Sequence, residues 1–475
     1  MRRLASNRNG KSLQFWVLTG FLALVFLTGG GARSDIQSLV VLRPLAVLYC
    51  AFSLATLRLD DVREHKLLFL FAALLFALVG LQLVPLPPEI WTGLPGREIV
   101  SRVDQAAGLG SVWRPVSMAP AASWNALFSL FIPLAVLLAC VQLDREERFA
   151  LQSVFLGLGL LSGLIGMLQV IGPPSGPLYF YRITNNGSAV GLFSNRNHAA
   201  VFLACMFPML AVLASTGAPT VERSRSRLWI ALVAGIALVP LLLVTGSRLG
   251  LVAGLLGLAV SLALYRKPIV DRPAKRKVTR SYLGYLLIGF GVVATGLVTI
   301  VFSRARAFER LASADQADDL RFQIWGPVSK MIWEYFPFGS GAGTFVEAYQ
   351  VHEAAKFISP NYVNHAHNDW LETAVTTGLA GMLLAIAAIA ISFFASIRAW
   401  RAPNSRSRDT LFARLGSIVI LIFALASVTD YPLRTPSLMC LAVVAAIWLS
   451  GPGRQTGNSH IPKRDGSGAK SRLAA

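Results

Sequence analysis

The strongest constraint on this chain is a series of apolar segments, each long enough to cross a lipid bilayer. A membrane-spanning helix needs about 20 apolar residues in succession, because hydrocarbon offers no partner to an exposed peptide group. The sequence predicts twelve such helices, near 14–33, 37–58, 67–86, 123–143, 151–171, 197–215, 228–246, 249–265, 282–302, 371–397, 415–431 and 436–450. Only 14% of the 475 residues are charged, which leaves little for a large soluble domain. We therefore predict an all-α integral membrane protein.

The first apolar segment follows a basic start and ends in the small residues 28–32, which loosely imitates a secretory signal. Its apolar stretch is long for a signal and the second segment follows almost at once, so we expect a retained helix. The four cysteines all fall within apolar segments. We expect core residues there rather than a disulfide framework.

The net charge of +20 is compatible with nucleic-acid binding, above all at the basic stretch 266–281. However, the basic residues are divided among short segments between apolar runs. Roughly two thirds of the 44 Lys and Arg residues fall on the segments that share a side with the N-terminus. The positive-inside rule therefore predicts that both termini are cytoplasmic, and we expect 266–281 to contact anionic lipid.

This map divides the chain into four parts. Residues 1–302 hold the first nine helices and an outer loop at 87–122, and residues 303–370 form a second, longer outer loop. Residues 371–450 hold the last three helices, and 451–475 form a basic tail that we expect to be disordered. A loop as long as 303–370 seldom lacks a function, so we expect short helices there, packed over the outer mouth of the bundle. The chain shows no convincing internal repeat, which weakens a transporter built from repeated halves.

Several arginines are predicted at one depth, near the outer ends of helices. They are Arg43, Arg196, Arg248 and Arg434, with Arg304, Arg306 and Arg321 in the loop above them. For any one of these arginines, a structural role has equal weight to a binding role: the side chain can extend to lipid phosphates or pair with Asp430. For the group we favour a site for a lipid diphosphate, because outer arginines are scarce under the charge rule and each charge-assisted bond is worth about 1.5–3 kcal/mol.

A histidine segment, NHAHNDWLE at 364–372, leads directly into the tenth predicted helix. Small residues at 374, 378, 381, 385 and 388 line one face of that helix, which favours close packing against a neighbour. The same periodicity predicts that His367 points into the bundle and that His365 points elsewhere. His367 is either a structural residue at a helix start or, beside an anionic lipid site, a general base.

Two metal-site readings of this region are disfavoured. The histidines of His-Ala-His alternate, which suits a strand rather than a helix, and no further ligand set has convincing spacing. The acidic cluster Asp315, Asp318 and Asp319 is more typical of a solvated face and a helix cap. We therefore expect no metal and no other cofactor.

The ordered set of motifs resembles the O-antigen ligase and polymerase superfamily of bacterial envelope glycan assembly. The matching segments are GLFSNRNH at 191–198, Ser247-Arg248, RFQIW at 321–325, PFGSG at 337–341, and His367-Asn368 followed by Gly378 and Gly381. The resemblance covers roughly 150–445. The N-terminal third matches less specifically, so selection of the acceptor, for which the 87–122 loop is a candidate, stays open.

The resemblance implies twelve helices in the bacterial inner membrane and a periplasmic active site. It also implies transfer of a glycan from undecaprenyl diphosphate to an acceptor hydroxyl, without nucleotide or metal. The histidine base and two diphosphate-binding arginines of the ligases match His367, Arg248 and Arg321. The topology adds Arg43, Arg196 and Arg434 as substrate-binding residues, and we expect Asn368 and Glu372 to orient the base or the acceptor.

The identity of the acceptor is open at this point. Lipid A core would make the protein a ligase, a growing glycan a polymerase, and a Ser or Thr side chain a protein O-oligosaccharyltransferase. An exporter of lipid-linked glycan would also use an arginine-lined cavity, but it would not need His367 beside a long outer loop. A noncatalytic scaffold of polysaccharide assembly is a third possibility.

Overall fold

The computed structural model describes residues 11–217, 220–268, 316–355 and 362–451. Helices account for most of these residues, and the only extended pairing among them is an isolated antiparallel bridge between Leu86 and Arg114.

Several predicted features fall outside the described residues. They are residues 269–281 of the basic stretch, the span at 282–302, Arg304, Arg306, Asp315 and the tail from 452.

Up to residue 217 the helices are α1 (Leu13–Thr28), α2 (Leu39–Thr56), α3 (Leu59–Glu64), α4 (Lys66–Leu81), α5 (Pro88–Trp91), α6 (Glu98–Ala106), α7 (Pro120–Ser129), α8 (Phe131–Cys140), α9 (Arg145–Ile171) and α10 (Arg196–Ser215). In the described ranges after residue 220 they are α11 (Val221–Val244), α12 (Arg248–Leu264), α13 (Gln316–Tyr335), α14 (Phe345–His352), α15 (Asp369–Arg401), α16 (Arg408–Ala426) and α17 (Pro436–Ser450). A single turn of 3-10 helix, Pro432–Arg434, lies between α16 and α17.

Seven stretches of helix in the described ranges are long and apolar enough to cross a membrane. They are α2, α7 together with α8, α9, α10, α11, α15 and α16. Four shorter apolar helices, α1, α4, α12 and α17, also coincide with predicted spans. The all-helical membrane class is thus confirmed, whereas the total of twelve spans and the side of the termini stay predictions.

Helix α10 forms the centre of the bundle, where 89% of its apolar window is buried. It packs against α9, α11, α12 and α16. Two glycines of α12 allow close approach: a Cβ at Gly250 would lie 2.2 Å from the Cβ of Ala200, and one at Gly257 would lie 2.6 Å from the carbonyl oxygen of Ala204. Because small residues let helix backbones come together, α10 and α12 run side by side and start at the same end of the bundle.

Helix α15 is interrupted at Gly378, where φ is 60° and ψ is −150°. The backbone of 337–341, which we call the wedge, occupies this kink. The amide of Leu379 donates to the carbonyl of Pro337 at 2.8 Å, and a Cβ at Gly378 would lie only 2.1 Å from that oxygen. The predicted continuous face of small residues therefore ends at Gly378, because the space there admits a loop backbone rather than a helix.

Two buried side chains of the N-terminal third hold the wedge. The Gln82 amide group donates to the carbonyls of Phe338 at 3.2 Å and Thr376 at 3.1 Å. The Arg97 guanidinium donates to the carbonyls of Gly339 at 2.7 Å and Val116 at 2.5 Å. The segment that follows α4 is therefore bonded directly to the part of the chain that precedes the histidine segment.

Candidate functional site

Three helices begin near the histidine segment, and each begins at a polar cap. The side-chain oxygens of Asn195, Ser247 and Asn368 accept hydrogen bonds from backbone amides in the first turns of α10, α12 and α15, at 2.9 to 3.1 Å. Asn and Ser are preferred at this position because they satisfy amides that have no partner within the helix. The positive ends of the helix dipoles lie at these termini. In this structure Asn368, which the sequence predicted to orient the base or the acceptor, is the N-cap of α15.

Asp430, in the hairpin between α16 and α17, connects these termini. Its side chain is completely buried and accepts hydrogen bonds from the Asn197 side-chain amide and from the backbone amide of Tyr431. The Asn197 side-chain oxygen in turn accepts from the Ser247 hydroxyl at 2.7 Å. The beginnings of α10 and α12 are thus tied to one buried carboxylate.

Two histidines flank that carboxylate. Nδ1 of His367 lies 3.6 Å and Nε2 of His198 lies 3.7 Å from Oδ1 of Asp430. The other nitrogen of His198 contacts the Thr435 hydroxyl at 2.9 Å, and the ring is buried. The side chain of His367 keeps 19% of its surface exposed. Of the two imidazoles, His367 is the one that a substrate can reach.

Burial and the neighbouring charges set the ionisation of Asp430 and His367. Burial alone would raise the pKa of Asp430, but the two imidazoles and the positive charge of Arg321 hold it well below its usual range. Burial lowers the pKa of His367, and Arg321 and His365 act in the same direction, whereas Asp430 opposes them. Near neutral pH the site therefore contains an ionised carboxylate beside a neutral imidazole, which is the state of a general base.

Three histidine rings pack around the ring of Tyr431. The ring centroid of His365 lies 4.1 Å from that of Tyr431, and those of His198 and His367 both lie 5.0 Å away. The prediction that His365 points elsewhere is wrong. It assumed a continuous helix, but the segment before α15 is not helical, and His367 has a positive φ of 49°.

Glu372 and Arg434 secure the histidine segment. The buried Glu372 carboxylate contacts Nδ1 of His365 at 3.0 Å and accepts from the amide of Ala366 at 2.9 Å. Arg434 lies between two carboxylates, 3.1 Å from Glu372 and 2.8 Å from Asp369. These ion pairs favour a structural role for Arg434 over the predicted role in substrate binding.

The remaining predicted arginines differ in their surroundings. Arg196 and Arg248 are the first residues of α10 and α12, next to the bonded pair Asn197 and Ser247. Arg321 lies on α13, and its charge acts on both Asp430 and His367. Arg43 instead donates to the side chains of Asn125 and Ser129 on α7, at 2.9 and 3.1 Å, which joins it to a different part of the bundle.

Four residues of the site were not predicted to be functional from the sequence: Asn197, His198, Asp430 and Tyr431. The first two lie in the motif at 191–198, and the others open the polar hairpin after a long apolar run. The sequence predicted Asp430 only as a possible ion-pair partner of an arginine. Within the described ranges, no group of three or more His, Cys, Asp or Glu residues is arranged to hold a metal ion.

Part of this site lies in a region that matches a known protein family. A family model described as O-antigen ligase matches residues 233–386, which include Arg248, Arg321 and His367. No curated protein matches the chain. The kink at Gly378 also lies in the matched region, whereas Asp430 lies after it. The match supports the resemblance of this region to the O-antigen ligase family.

Proposed function

We propose that this protein is a metal-independent inverting glycosyltransferase. It moves a glycan from undecaprenyl diphosphate to an acceptor hydroxyl, as an O-antigen ligase or as a polymerase of O-antigen or exopolysaccharide. The observation that supports this most directly is the pairing of the solvent-reached His367 imidazole with the buried Asp430 carboxylate, 3.6 Å apart. This arrangement suits removal of a proton from a hydroxyl, and it lies beside arginines that suit a diphosphate.

The diphosphate is assigned to the starts of α10 and α12. Each of these helices begins with an arginine, Arg196 or Arg248, although a cation at a helix N-terminus is disfavoured by about 0.3–1 kcal/mol. A bound anion would offset this unfavourable charge. Arg248 and Arg321 are the principal ligands in this proposal, because planar guanidinium groups grip two oxygens at once.

The reaction proceeds in one displacement. The acceptor oxygen forms a bond to the anomeric carbon while the bond from that carbon to the diphosphate oxygen breaks, and the electron pair stays on the diphosphate. The arginines stabilise the charge that develops there. Because Nδ1 of His367 faces Asp430, Nε2 receives the acceptor proton, and Asp430 stabilises the resulting imidazolium. Base catalysis of this kind contributes roughly 10²–10⁴ in rate.

We place the site on the periplasmic face of the inner membrane, with both termini in the cytoplasm. Two exposed residues test this orientation: Glu347 on α14 and Arg406 between α15 and α16. A membrane-impermeant thiol reagent is expected to label Glu347→Cys on intact spheroplasts and Arg406→Cys only after permeabilisation. The four natural cysteines are buried, so background labelling is expected to be low. The reverse pattern would contradict the proposed topology.

A transfer assay tests the activity itself. The full chain in lipid nanodiscs is supplied with undecaprenyl-diphosphate-linked glycan and, separately, lipid A core, free glycan and a Ser/Thr peptide. Formation of a glycosidic linkage supports the proposal, and the acceptor that reacts identifies the subclass. Movement of glycan between leaflets without linkage would instead indicate an exporter.

A matched pair of histidine variants tests the base. We expect His367→Ala to reduce the transfer rate by at least about 100-fold. His352→Ala serves as the control, because His352 lies on α14 and contacts the Tyr335 hydroxyl at 2.8 Å. Unchanged glycan output from His367→Ala would favour a scaffold. A chelator is expected to leave transfer unchanged, and a loss that a divalent ion restores would contradict the metal-free reaction.

A further inference from the structure

A group of charged and aromatic side chains lies beside the histidine segment and takes no part in the chemistry above. This group, the Arg33 cluster, consists of Arg33, Asp35, Arg182 and Tyr362. Arg33 binds both carboxylate oxygens of Asp35, at 3.0 and 3.2 Å, and Arg182 lies 3.3 Å from one of them. The Arg33 guanidinium also lies over the ring of Tyr362, 4.6 Å from its centroid, and contacts its hydroxyl. Three separate segments of the chain meet here.

The cluster is held in place by the backbone beneath it. The amide of Gly30 donates to the Tyr181 hydroxyl at 2.6 Å, and the amide of Ser194 donates to the carbonyl of Gly30 at 3.0 Å. A Cβ at Gly30 would lie 2.0 Å from the carbonyl oxygen of Leu192, so the two loops touch backbone to backbone. A site formed before its ligand arrives avoids much of the entropy cost of ordering on binding.

The cluster is connected to the proposed base by a short path. Tyr362 lies two residues before Asn364, whose side-chain amide donates to the Tyr431 hydroxyl at 3.4 Å. Tyr431 in turn packs against His367. On its other side the cluster is open: the Arg182 side chain is 82% exposed, and Phe180 and Tyr362 are 48% and 41% exposed. A chain of sugars that begins at His367 can therefore extend over it.

The chemistry of the cluster selects for an anion. Two guanidinium groups share one carboxylate, so one positive charge is uncompensated within the cluster. The pair of Arg182 with Asp35 is exposed, and an exposed ion pair adds little to the stability of the folded state. Guanidinium groups bind carboxylate and phosphate through paired hydrogen bonds, and exposed aromatic rings offer flat apolar faces to sugar rings.

We propose that the Arg33 cluster is a subsite for an anionic sugar, one that carries a carboxylate or a phosphate. The sugar belongs to the glycan whose reacting unit lies at His367, and this assignment rests on the proposed function, although binding at the cluster does not require catalysis. The glycan is either the acceptor or the distal part of the donor.

Direct binding tests the subsite without any reaction. The full chain in nanodiscs of neutral lipid is titrated with tetragalacturonate and with uncharged maltotetraose. We expect tetragalacturonate to bind more tightly, with affinity that falls as salt rises. Arg182→Gln is expected to weaken it about 10-fold, which is the loss of one charge-assisted contact, and Arg182→Lys to weaken it less. The exposed control Arg102→Gln on α6 is expected to bind as the wild type does.

Three results would overturn the subsite: equal affinity for both oligosaccharides, no effect of Arg182→Gln, or complete displacement of tetragalacturonate by nanodiscs that contain anionic lipid. The last would make the cluster a headgroup site.

Steady-state kinetics with Arg182→Gln identifies the source of the sugar. If the acceptor supplies it, KM for an anionic acceptor rises about 10-fold while kcat and the KM of a neutral acceptor stay constant. If the donor supplies it, only the KM of an anionic donor rises. Unchanged KM values for both would refute the subsite. If no linkage forms with any variant while tetragalacturonate binding persists, the proposed function fails and the subsite stands.

Discussion

Replacement of Asp430 by Asn tests how the site supports its histidine, because the amide keeps the size of the side chain and removes its charge. Oδ1 of Asp430 lies 3.6 Å from Nδ1 of His367. With an effective dielectric of about 20, the attraction between a carboxylate and an imidazolium at that distance is about 4–5 kcal/mol. The amide dipole and water at the exposed edge of His367 recover part of it. We expect kcat to fall roughly 10²–10³-fold, or about 3–4 kcal/mol.

The pH profile separates this electrostatic role from a structural one. His367 acts when it is neutral, so transfer increases as pH rises through its pKa. Asp430 raises the pKa of His367, and its removal lowers that pKa. The rising limb of the kcat profile is therefore expected to move to lower pH in Asp430→Asn, while the plateau falls because the base is weaker. Single-turnover transfer rates between roughly pH 5 and 9 measure both changes.

Asp104→Asn is a suitable control. Asp104 is also buried and ion-paired, but its partner is Arg114 in the loop at 87–122. The control is expected to change thermal stability without moving the pH limb. An Asp430→Asn enzyme with kcat within about threefold of the wild type and an unshifted limb would refute the proposed link between the carboxylate and the base.

Three further variants test the arginines and the kink. Arg248→Lys is expected to lower kcat/KM for the donor by roughly 10-fold or more, because a point charge cannot replace the guanidinium fork; near-normal values would count against the clamp. Arg434→Ala leaves the buried carboxylate of Glu372 and the partly buried carboxylate of Asp369 without their cation and is expected to lower the free energy of unfolding by about 3–5 kcal/mol; a stable variant that loses only donor affinity would restore the substrate role. Gly378→Ala is expected to lower the free energy of unfolding by about 1–3 kcal/mol or more, because of the positive φ and the clash with backbone atoms. The control Gly20→Ala has open space around the added methyl group and is expected to leave the thermal unfolding temperature nearly unchanged.

The helices were largely predictable because a bilayer makes each span a local property of the sequence. Hydrophobicity marks only the part of a helix that lies in hydrocarbon, however. The predicted span at 151–171 begins six residues after the start of α9 at Arg145. Asp144 and Glu147 form a capping box there, which extends the helix through a polar turn that an apolar window does not include.

The site was predictable only in part. His367 was selected by helical periodicity, yet the segment that carries it is not helical, and its place beside Asp430 comes from a hairpin far along the chain. No local spacing encodes such a pair. Gly378 was equally ambiguous, because a glycine in a stripe of small residues fits both close helix packing and a kink filled by another backbone.

The bonds that hold the wedge limit which parts of this chain can be exchanged for those of a related protein. Gln82 and Arg97 donate to the carbonyls of Phe338 and Gly339, so the donors and acceptors of one buried network lie far apart in the sequence. A chimera whose other parent lacks the glutamine or the arginine would leave these carbonyls unpaired, at about 1–3 kcal/mol each. Because Gln82 also bonds to the backbone of Ala342 and Thr376, residues 82–118 are best exchanged together with 337–376, which keeps these donors and acceptors from one parent.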